Sequence, residues 1–406
     1  MNHNVRTRRF GRNLCRARAR RFAGTWHRAF IFCLALGALG ATASAQDGDV
    51  SLKLSGSALN ETGYIGFRSD IPDGPTRDWY SQTSVAARLS QGGDKARFSA
   101  ELWTRFDAAT GGWDLSLDEA WGEWSPAAFC SLRLGRFPLR YGPCVAFNPA
   151  NSLVAKSPFD SRANKVGLDG LALEMQPLLA AKGGEELSCS LVVDAALLLP
   201  SSAADSSSVG SPFDIGESSA HGRITFYAPG SGILGATEVG VSGDFRRLGG
   251  AAPGGKIPMA GGLWLSADLA GFVIGTEGTL RSPGYGELSL PGASISSETE
   301  NGYGWALSVN RRIGDFFALV EASYANPGYG WRGFAQLSRN ADDNAASLSA
   351  LVDFDTLAAR IALDSAWNIG DFLVLHVKAA WNCLPEKWTP QLANEYLAGF
   401  SLEYFF

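Results

Sequence analysis

Apolar residues recur at every second position in short segments along most of this chain. The alternation is clearest in three stretches of about ten residues: Arg97–Phe106, Leu357–Trp367 and Phe372–Trp381. Period two is the period of a β-strand whose two faces meet different surroundings. Because this pattern continues over about 360 residues with few sustained helical stretches, it predicts an all-β fold.

The N-terminal residues differ from the rest and predict a cleaved signal peptide. The first 28 residues hold nine arginines and no acid, and the apolar run Ala29–Gly40 follows. Ala43-Ser44-Ala45 is a small-x-small cleavage site before Gln46. The apolar run is too short for a membrane-spanning helix, which needs about 20 apolar residues. We therefore expect a signal peptide over 1–45 and one exported domain over 46–406.

Charge and cysteine usage narrow the function classes. Removing nine of the 35 bases and none of the 40 acids changes the formal net charge from −5 to −14. An exported chain this acidic is not expected to bind nucleic acid. The cysteines show neither a CxxC pair nor metal-ligand spacing, so no metal and no cofactor is expected. Cys130 and Cys144 are predicted to lie a strand length apart, beyond disulfide reach unless the loop enters the lumen.

The solvent against the apolar faces decides between a soluble sandwich and a membrane barrel. After the signal peptide, no window of 18 or more apolar residues occurs, so no helical span is predicted. Alternating segments separated by turn residues are typical of a transmembrane β-barrel. Four tryptophans near predicted strand ends would suit an interfacial girdle, although they could also be ordinary core residues: Trp305, Trp331, Trp367 and Trp381.

Turn signals give a strand count. Short connections are predicted at Gln91–Asp94, Ser125–Phe129, Pro229–Leu234, Ile313–Asp315 and Asn368–Asp371. Longer ones are predicted at Asp70–Asp78, Pro138–Ala163, Pro200–Ala220, Gly249–Ile257 and Ser282–Asn301. Short and long connections alternate, as in outer-membrane barrels. With Val50–Arg68 counted as one long strand, the tally is a single antiparallel transmembrane barrel of about 18 strands, with 14–16 as the alternative. Both termini would be periplasmic.

The segment Leu117–Leu153 carries the densest charge, and a barrel of this size leaves an aqueous lumen. Acids on one predicted strand lie beside arginines on the next, which would create a selectivity constriction. Asp118 and Glu119 are consecutive, so a bulge is expected there to keep both off the lipid face. The alternative is a salt-bridged hairpin that only stiffens the wall. The predicted pore-lining residues are Arg97, Glu101, Arg105, Glu119, Glu123, Arg133, Arg136 and Arg140.

Within this segment, "LRLGRFPLRYG" (Leu132–Gly142) and "FNPAN" (Phe147–Asn151) resemble a motif of porin-type bacterial outer-membrane barrels. The resemblance implies passive diffusion of small hydrophilic solutes. It also implies that Arg133, Arg136 and Arg140 lie near the constriction and that Asn148-Pro149 shapes an inward-folded loop. One departure is that Leu139–Val154 contains no acid.

The last strand resembles the signal that outer-membrane assembly machinery recognises. "EYLAGFSLEYFF" (Glu395–Phe406) alternates up to an aromatic C-terminus. Its predicted lipid-facing residues, which form the assembly signal, are Phe400, Leu402, Tyr404 and Phe406. Ser401 and Glu403 would face the lumen.

These features predict a porin-like channel in the bacterial outer membrane, with lipid, the assembly machinery and small solutes as its partners. An enzyme is not expected, because His221 has no accompanying Gly-x-Ser-x-Gly elbow. A non-conducting barrel acting as an adhesin or structural surface protein is the alternative. The sequence leaves a homotrimer open.

Overall fold

A computed structural model describes residues 51–67, 77–93, 95–108, 111–139, 142–149, 167–176, 178–179, 189–199, 218–230, 233–246, 257–283, 285, 301–326, 330–341, 344–383 and 394–405. The strand segments are β1 (Ser51–Phe67), β2 (Arg77–Gly92), β3 (Ala96–Asp107), β4 (Gly112–Ala127), β5 (Cys130–Phe137), β6 (Leu168–Met175), β7 (Leu178–Leu179), β8 (Cys189–Leu198), β9 (Ser219–Ala228), β10 (Leu234–Phe245), β11 (Met259–Leu269), β12 (Phe272–Arg281), β13 (Gly302–Ile313), β14 (Phe316–Asn326), β15 (Gly330–Ala341), β16 (Asn344–Asp353), β17 (Ala358–Asn368), β18 (Leu373–Cys383) and β19 (Asn394–Phe405). Within these ranges, no helix is long and apolar enough to cross a membrane.

The strands form one sheet that closes on itself. Successive barrel strands pair antiparallel, and β1 pairs with both β2 and β19. The two-residue β7 pairs with β8 beyond the end of β6, so β6 and β7 together make one barrel strand. The result is a closed antiparallel barrel of eighteen strands, which confirms the predicted fold class and strand count. Closure leaves no unpaired edge facing lipid.

The first segment forms one long strand, as predicted: Val50–Arg68 was expected and β1 spans Ser51–Phe67. It supplies sixteen residue pairs to β2 and eleven to β19. The predicted signal peptide lies outside the described residues and stays a prediction.

Most connections at one end of the barrel are tight turns, and the longest connections lie at the other end. At one end, here called the short-turn end, β11 and β12 are joined by Ala270 and Gly271 alone. Both residues have positive φ, 54° and 78°, as a two-residue type I′ turn requires. At the opposite, long-loop end, thirty residues separate β5 from β6. All five predicted short connections fall at the short-turn end, and all five long ones fall at the other end.

Side chains alternate between the outer wall and the lumen along each strand. On β14, Val320 is exposed outward, whereas Leu319 and Glu321 point inward and are buried. On β19, Phe400, Leu402 and Tyr404 are exposed, and Ser401 is buried. The outer wall is therefore apolar along its middle, as lipid contact requires.

Aromatic side chains gather near both rims of the outer wall. Near the long-loop end, the ring centroids of Trp305 and Trp331 lie 6.0 Å apart, and those of Tyr324 and Trp331 lie 5.1 Å apart. Near the short-turn end, Phe316 and Trp367 are exposed. Two aromatic girdles around an apolar band are the outer surface of a transmembrane barrel.

Candidate functional site

A loop from the long-loop end lies inside the barrel. Residues 142–149 follow β5 and pack against β13, β14 and β15, on the far side of the lumen. Cys144, Ala146 and Phe147 form a buried apolar cluster with wall residues of those three strands: Ala306, Leu319 and Phe334. Since β14 is eight barrel strands away from β5, this loop crosses the lumen and narrows it.

Two buried glutamates hold the loop through its backbone. Glu321 accepts hydrogen bonds from the N–H groups of Val145, Ala146 (2.7 Å) and Phe147 (3.0 Å). Glu277 accepts one from the N–H of Cys144 at 3.0 Å. Both carboxylates are fully buried. Each group needs the other, because a buried N–H and a buried carboxylate are both costly without a partner.

Glycine permits the close approach between loop and wall. Gly142 has φ of +90°, and a Cβ there would lie 2.6 Å from Glu277 Oε2. On the wall, a Cβ at Gly275 would lie 2.8 Å from Cβ of Pro143. A side chain at either position would push the loop away from β12.

An arginine–glutamate cluster lines the wall formed by β3, β4 and β5. Glu123 accepts hydrogen bonds from Nε of Arg97 at 3.0 Å and from Nη2 of Arg133 at 2.7 Å. Glu123 and Arg133 are directly opposite each other on β4 and β5. The guanidinium of Arg133 also lies 5.0 Å from the ring centroid of Trp121. These contacts fix Arg133 on the lumen side of the wall.

A second arginine–glutamate cluster lies beside the first, on β2, β3 and β4. Arg88 on β2 lies 3.3 Å from Glu101 and 3.3 Å from Glu119. Trp121 Nε1 donates to Glu119 at 3.2 Å. The charged groups are unequally exposed: the side chain of Arg97 is 59% exposed against 1% for Glu123, and that of Arg88 is 48% exposed against 8% for Glu119. The carboxylates are recessed in the wall and the guanidinium groups face the lumen.

A bulge on β4 makes the second cluster fit. The pairing of β3 with β4 shifts between Glu101, opposite Glu119, and Leu102, opposite Leu117. Asp118 is therefore the extra residue, which confirms the predicted bulge. Its buried carboxylate bonds with the hydroxyl of Ser116.

Two further predicted pore residues, Arg105 and Arg136, lie apart from these clusters. Arg105 is near the long-loop end, 3.7 Å from Asp114 and above the ring of Trp103. Arg136 is the penultimate residue of β5 and has opposite parity to Arg133. It pairs with Asp169 and donates to the carbonyl of Leu117. Arg140 and the terminal Phe406 are outside the described residues.

Glu277, Glu321, His376 and Lys378 are lumen residues outside the predicted site. Glu277 and Glu321 are the single acids of β12 and β14 and lie at inward positions, which is a signal that could have identified them. His376 and Lys378 also point into the lumen, from β18. His376 Nε2 lies 3.0 Å from Glu403 Oε2.

The other reactive side chains in the described residues are those of His221 and four cysteines. His221 Nδ1 lies 2.6 Å from Asp244 Oδ1, and both side chains are buried. Cys130, Cys144, Cys189 and Cys383 are free thiols. Cys144 lies inside the lumen rather than at the long-loop end. In the part of the chain that the structure describes, no cluster of His, Cys, Asp or Glu could hold a metal ion.

A closed antiparallel barrel with two aromatic girdles and a loop across its lumen is the fold of a porin-type outer-membrane barrel. No family model and no curated protein matches the chain. It is similar to solved structures of Rhodopseudomonas blastica porin mutants, two of which are each 11% identical and cover 88% of this chain and 100% of the porin chain. Their TM-scores are 0.39 and 0.38. Because these TM-scores are low, the porin-type class is assigned from the closed barrel, its aromatic girdles and its lumen loop alone.

Proposed function

We propose that this protein is an outer-membrane channel through which small hydrophilic solutes diffuse passively, past a constriction lined by arginines. The observation that carries the proposal is the unequal exposure of the paired charges on the β2–β5 wall. Solutes passing the lumen loop meet guanidinium groups, because the acids beneath them are buried. On the opposite wall, Glu277 and Glu321 accept hydrogen bonds from the loop and are shielded from the lumen.

This charge arrangement favours anions over cations. A charge facing a narrow aqueous path in a low-dielectric wall acts on solutes more strongly than a buried charge. The eighteen-stranded barrel supplies the width, and the loop at residues 142–149 supplies the narrowing. Export by the signal peptide at 1–45 and a bacterial outer-membrane location belong to the same proposal.

Replacing the two most exposed arginines tests the constriction. Arg88→Gln combined with Arg97→Gln should shift the reversal potential in a KCl gradient toward cation preference, since Glu101 and Glu119 lose a cation. Arg311→Gln is the matched control, because Arg311 lies on the outer wall, 4.3 Å from the ring centroid of Phe272. Selectivity that stays at the wild-type value in the double variant would contradict an arginine-lined constriction.

Association into a homotrimer is supported by one polar patch on the outer wall. Asn60 Nδ2 donates to Thr83 Oγ1 at 2.9 Å, and the hydroxyls of Thr62 and Ser81 lie 3.3 Å apart. Small and hydrogen-bonding side chains are typical of contacts between membrane spans, whereas lipid favours bulky apolar ones. The molar mass of the protein purified in mild detergent should correspond to three chains. A mass of one chain would rule out this association.

Recognition of the last strand by assembly machinery is supported by the outward exposure of Phe400, Leu402 and Tyr404. Deleting Phe406 should lower the amount of assembled barrel without changing the selectivity of the channels that form. Normal barrel levels after the deletion would oppose this role.

A further inference from the structure

One pair of neighbouring strands in this barrel is not joined by a connection. Strands β1 and β19 meet at the seam where the sheet closes, with Gly63 opposite Gly399. Shifting a strand by one residue would turn its apolar face inward, but a shift of two residues keeps every side chain on its own wall. The hydrophobic pattern therefore does not fix the register at this seam, and another feature of the chain must do so.

A row of four residues crosses the seam on the lumen side. Lys378 on β18 is opposite Gly399 on β19, Gly399 is opposite Gly63 on β1, and Gly63 is opposite Tyr80 on β2. Two long side chains thus flank two glycines. The glycines leave a shallow groove along the row, into which the outer members of the row can reach.

Tyr80 occupies this groove. A Cβ added at Gly63 would lie 2.5 Å from Tyr80 Cζ, and one added at Gly399 would lie 2.8 Å from Tyr80 Oη. The ring of Tyr80 therefore lies over β1 and its hydroxyl reaches β19. Any larger residue in the row would collide with the ring.

The two flanking side chains converge on a single acid. The Tyr80 hydroxyl donates to Glu61 Oε1 at 2.8 Å, and Lys378 Nζ lies 3.5 Å from Glu61 Oε2. Glu61 is on β1, two residues before Gly63, and is opposite Ser401 on β19. One carboxylate thereby links β18, β1 and β2 across β19, which itself contributes only the small residues Gly399 and Ser401 to these two rows.

We propose that Tyr80, Glu61 and Lys378 form a latch that fixes the register in which β1 and β19 close the barrel. A two-residue slip in one direction would bring Leu397 opposite Gly63, and its side chain would fill the groove that Tyr80 occupies. A slip in the other direction would bring Ser401 opposite Gly63 and carry Lys378 two residues out of the row. Only the observed register lets both flanking side chains reach Glu61.

Pairs of cysteines introduced on the outer wall can identify this register, because they form a disulfide only where they are directly opposite each other. In a chain whose own cysteines are replaced by serine, Tyr64→Cys with Ala398→Cys reports the observed register, because these residues are directly opposite. Tyr64→Cys with Tyr396→Cys reports the slip that brings Leu397 opposite Gly63. Tyr64→Cys with Phe400→Cys reports the slip that brings Ser401 opposite Gly63, since only directly opposite positions come within disulfide reach. The measured quantity is the ratio of slipped to native cross-link in membranes.

The latch predicts that Tyr80→Ala and Lys378→Met each raise this ratio at least several-fold over the wild-type latch. Tyr80→Phe keeps the ring over Gly63 and loses only the bond to Glu61, so it should give a smaller rise. If Tyr80→Ala does not assemble, Tyr80→Phe and Lys378→Met decide the outcome. The control is Tyr227→Ala, which removes an inward-pointing tyrosine on β9, away from the seam. An unchanged ratio in both Tyr80→Phe and Lys378→Met, or an equal rise in Tyr227→Ala, would overturn the proposal.

Discussion

Glu321→Ala should release the lumen loop and raise the single-channel conductance, with more frequent transitions between current levels. The substitution removes three hydrogen bonds from the N–H groups of residues 145–147 to one buried carboxylate. Each bond to a charged acceptor contributes about 1.5–3 kcal/mol, and the buried N–H groups of Ala146 and Phe147 would be left without a partner. The apolar contacts of Phe147 with the wall remain, but they do not satisfy those N–H groups.

The matched control for this experiment is Glu174→Ala. Glu174 points into the lumen from β6 and bonds to Gln176, and it makes none of the loop's hydrogen bonds. Its removal changes the lumen charge by the same amount as Glu321→Ala while leaving the loop in place. Equal conductance in the two variants would show that Glu321 does not hold the constriction.

Leu363→Arg should strongly destabilise the barrel. Leu363 is the middle residue of β17 and is exposed on the outer wall. An arginine at the bilayer midplane on the lipid face of a barrel costs about 2–4 kcal/mol. The free energy of unfolding, measured by denaturant titration of the protein refolded into phospholipid vesicles, should fall by an amount in that range.

The neighbouring position provides the control for that experiment. Ala362 points into the lumen and is opposite Ser349 and Ala380, both small. The arginine side chain of an Ala362→Arg variant would therefore fit in the lumen and remain hydrated, and the free energy of unfolding should change little. Equal costs at 362 and 363 would mean that the two faces of β17 do not meet lipid and water as described.

The strand architecture could be predicted from the sequence because it depends on local patterns. Alternation along each strand and the long first strand are visible within a few residues. The bulge at Asp118 follows from two consecutive acids on a wall with one polar face. The turn at Ala270-Gly271 was missed because alanine carries no signal for positive φ, and the closing β-hairpin geometry imposes it.

The lumen contacts could not be predicted because they join distant parts of the chain. Glu321 and the loop N–H groups it accepts from are separated by about 175 residues. The row from Lys378 to Tyr80 appears only when the registers of three strand pairs are known. The different parity of Arg136 and Arg133 already indicated that Arg136 lies beyond a bulge or at the strand end, but its pairing with Asp169 on β6 could not be predicted.

The most direct test of the channel assignment is the current through the purified wild-type protein in planar lipid bilayers. Stable open steps that increase linearly with voltage, with a reversal potential on the anion side in a KCl gradient, are the predicted result. A correctly folded barrel that inserts and stays electrically silent would contradict a diffusion channel and favour a surface adhesin or structural barrel.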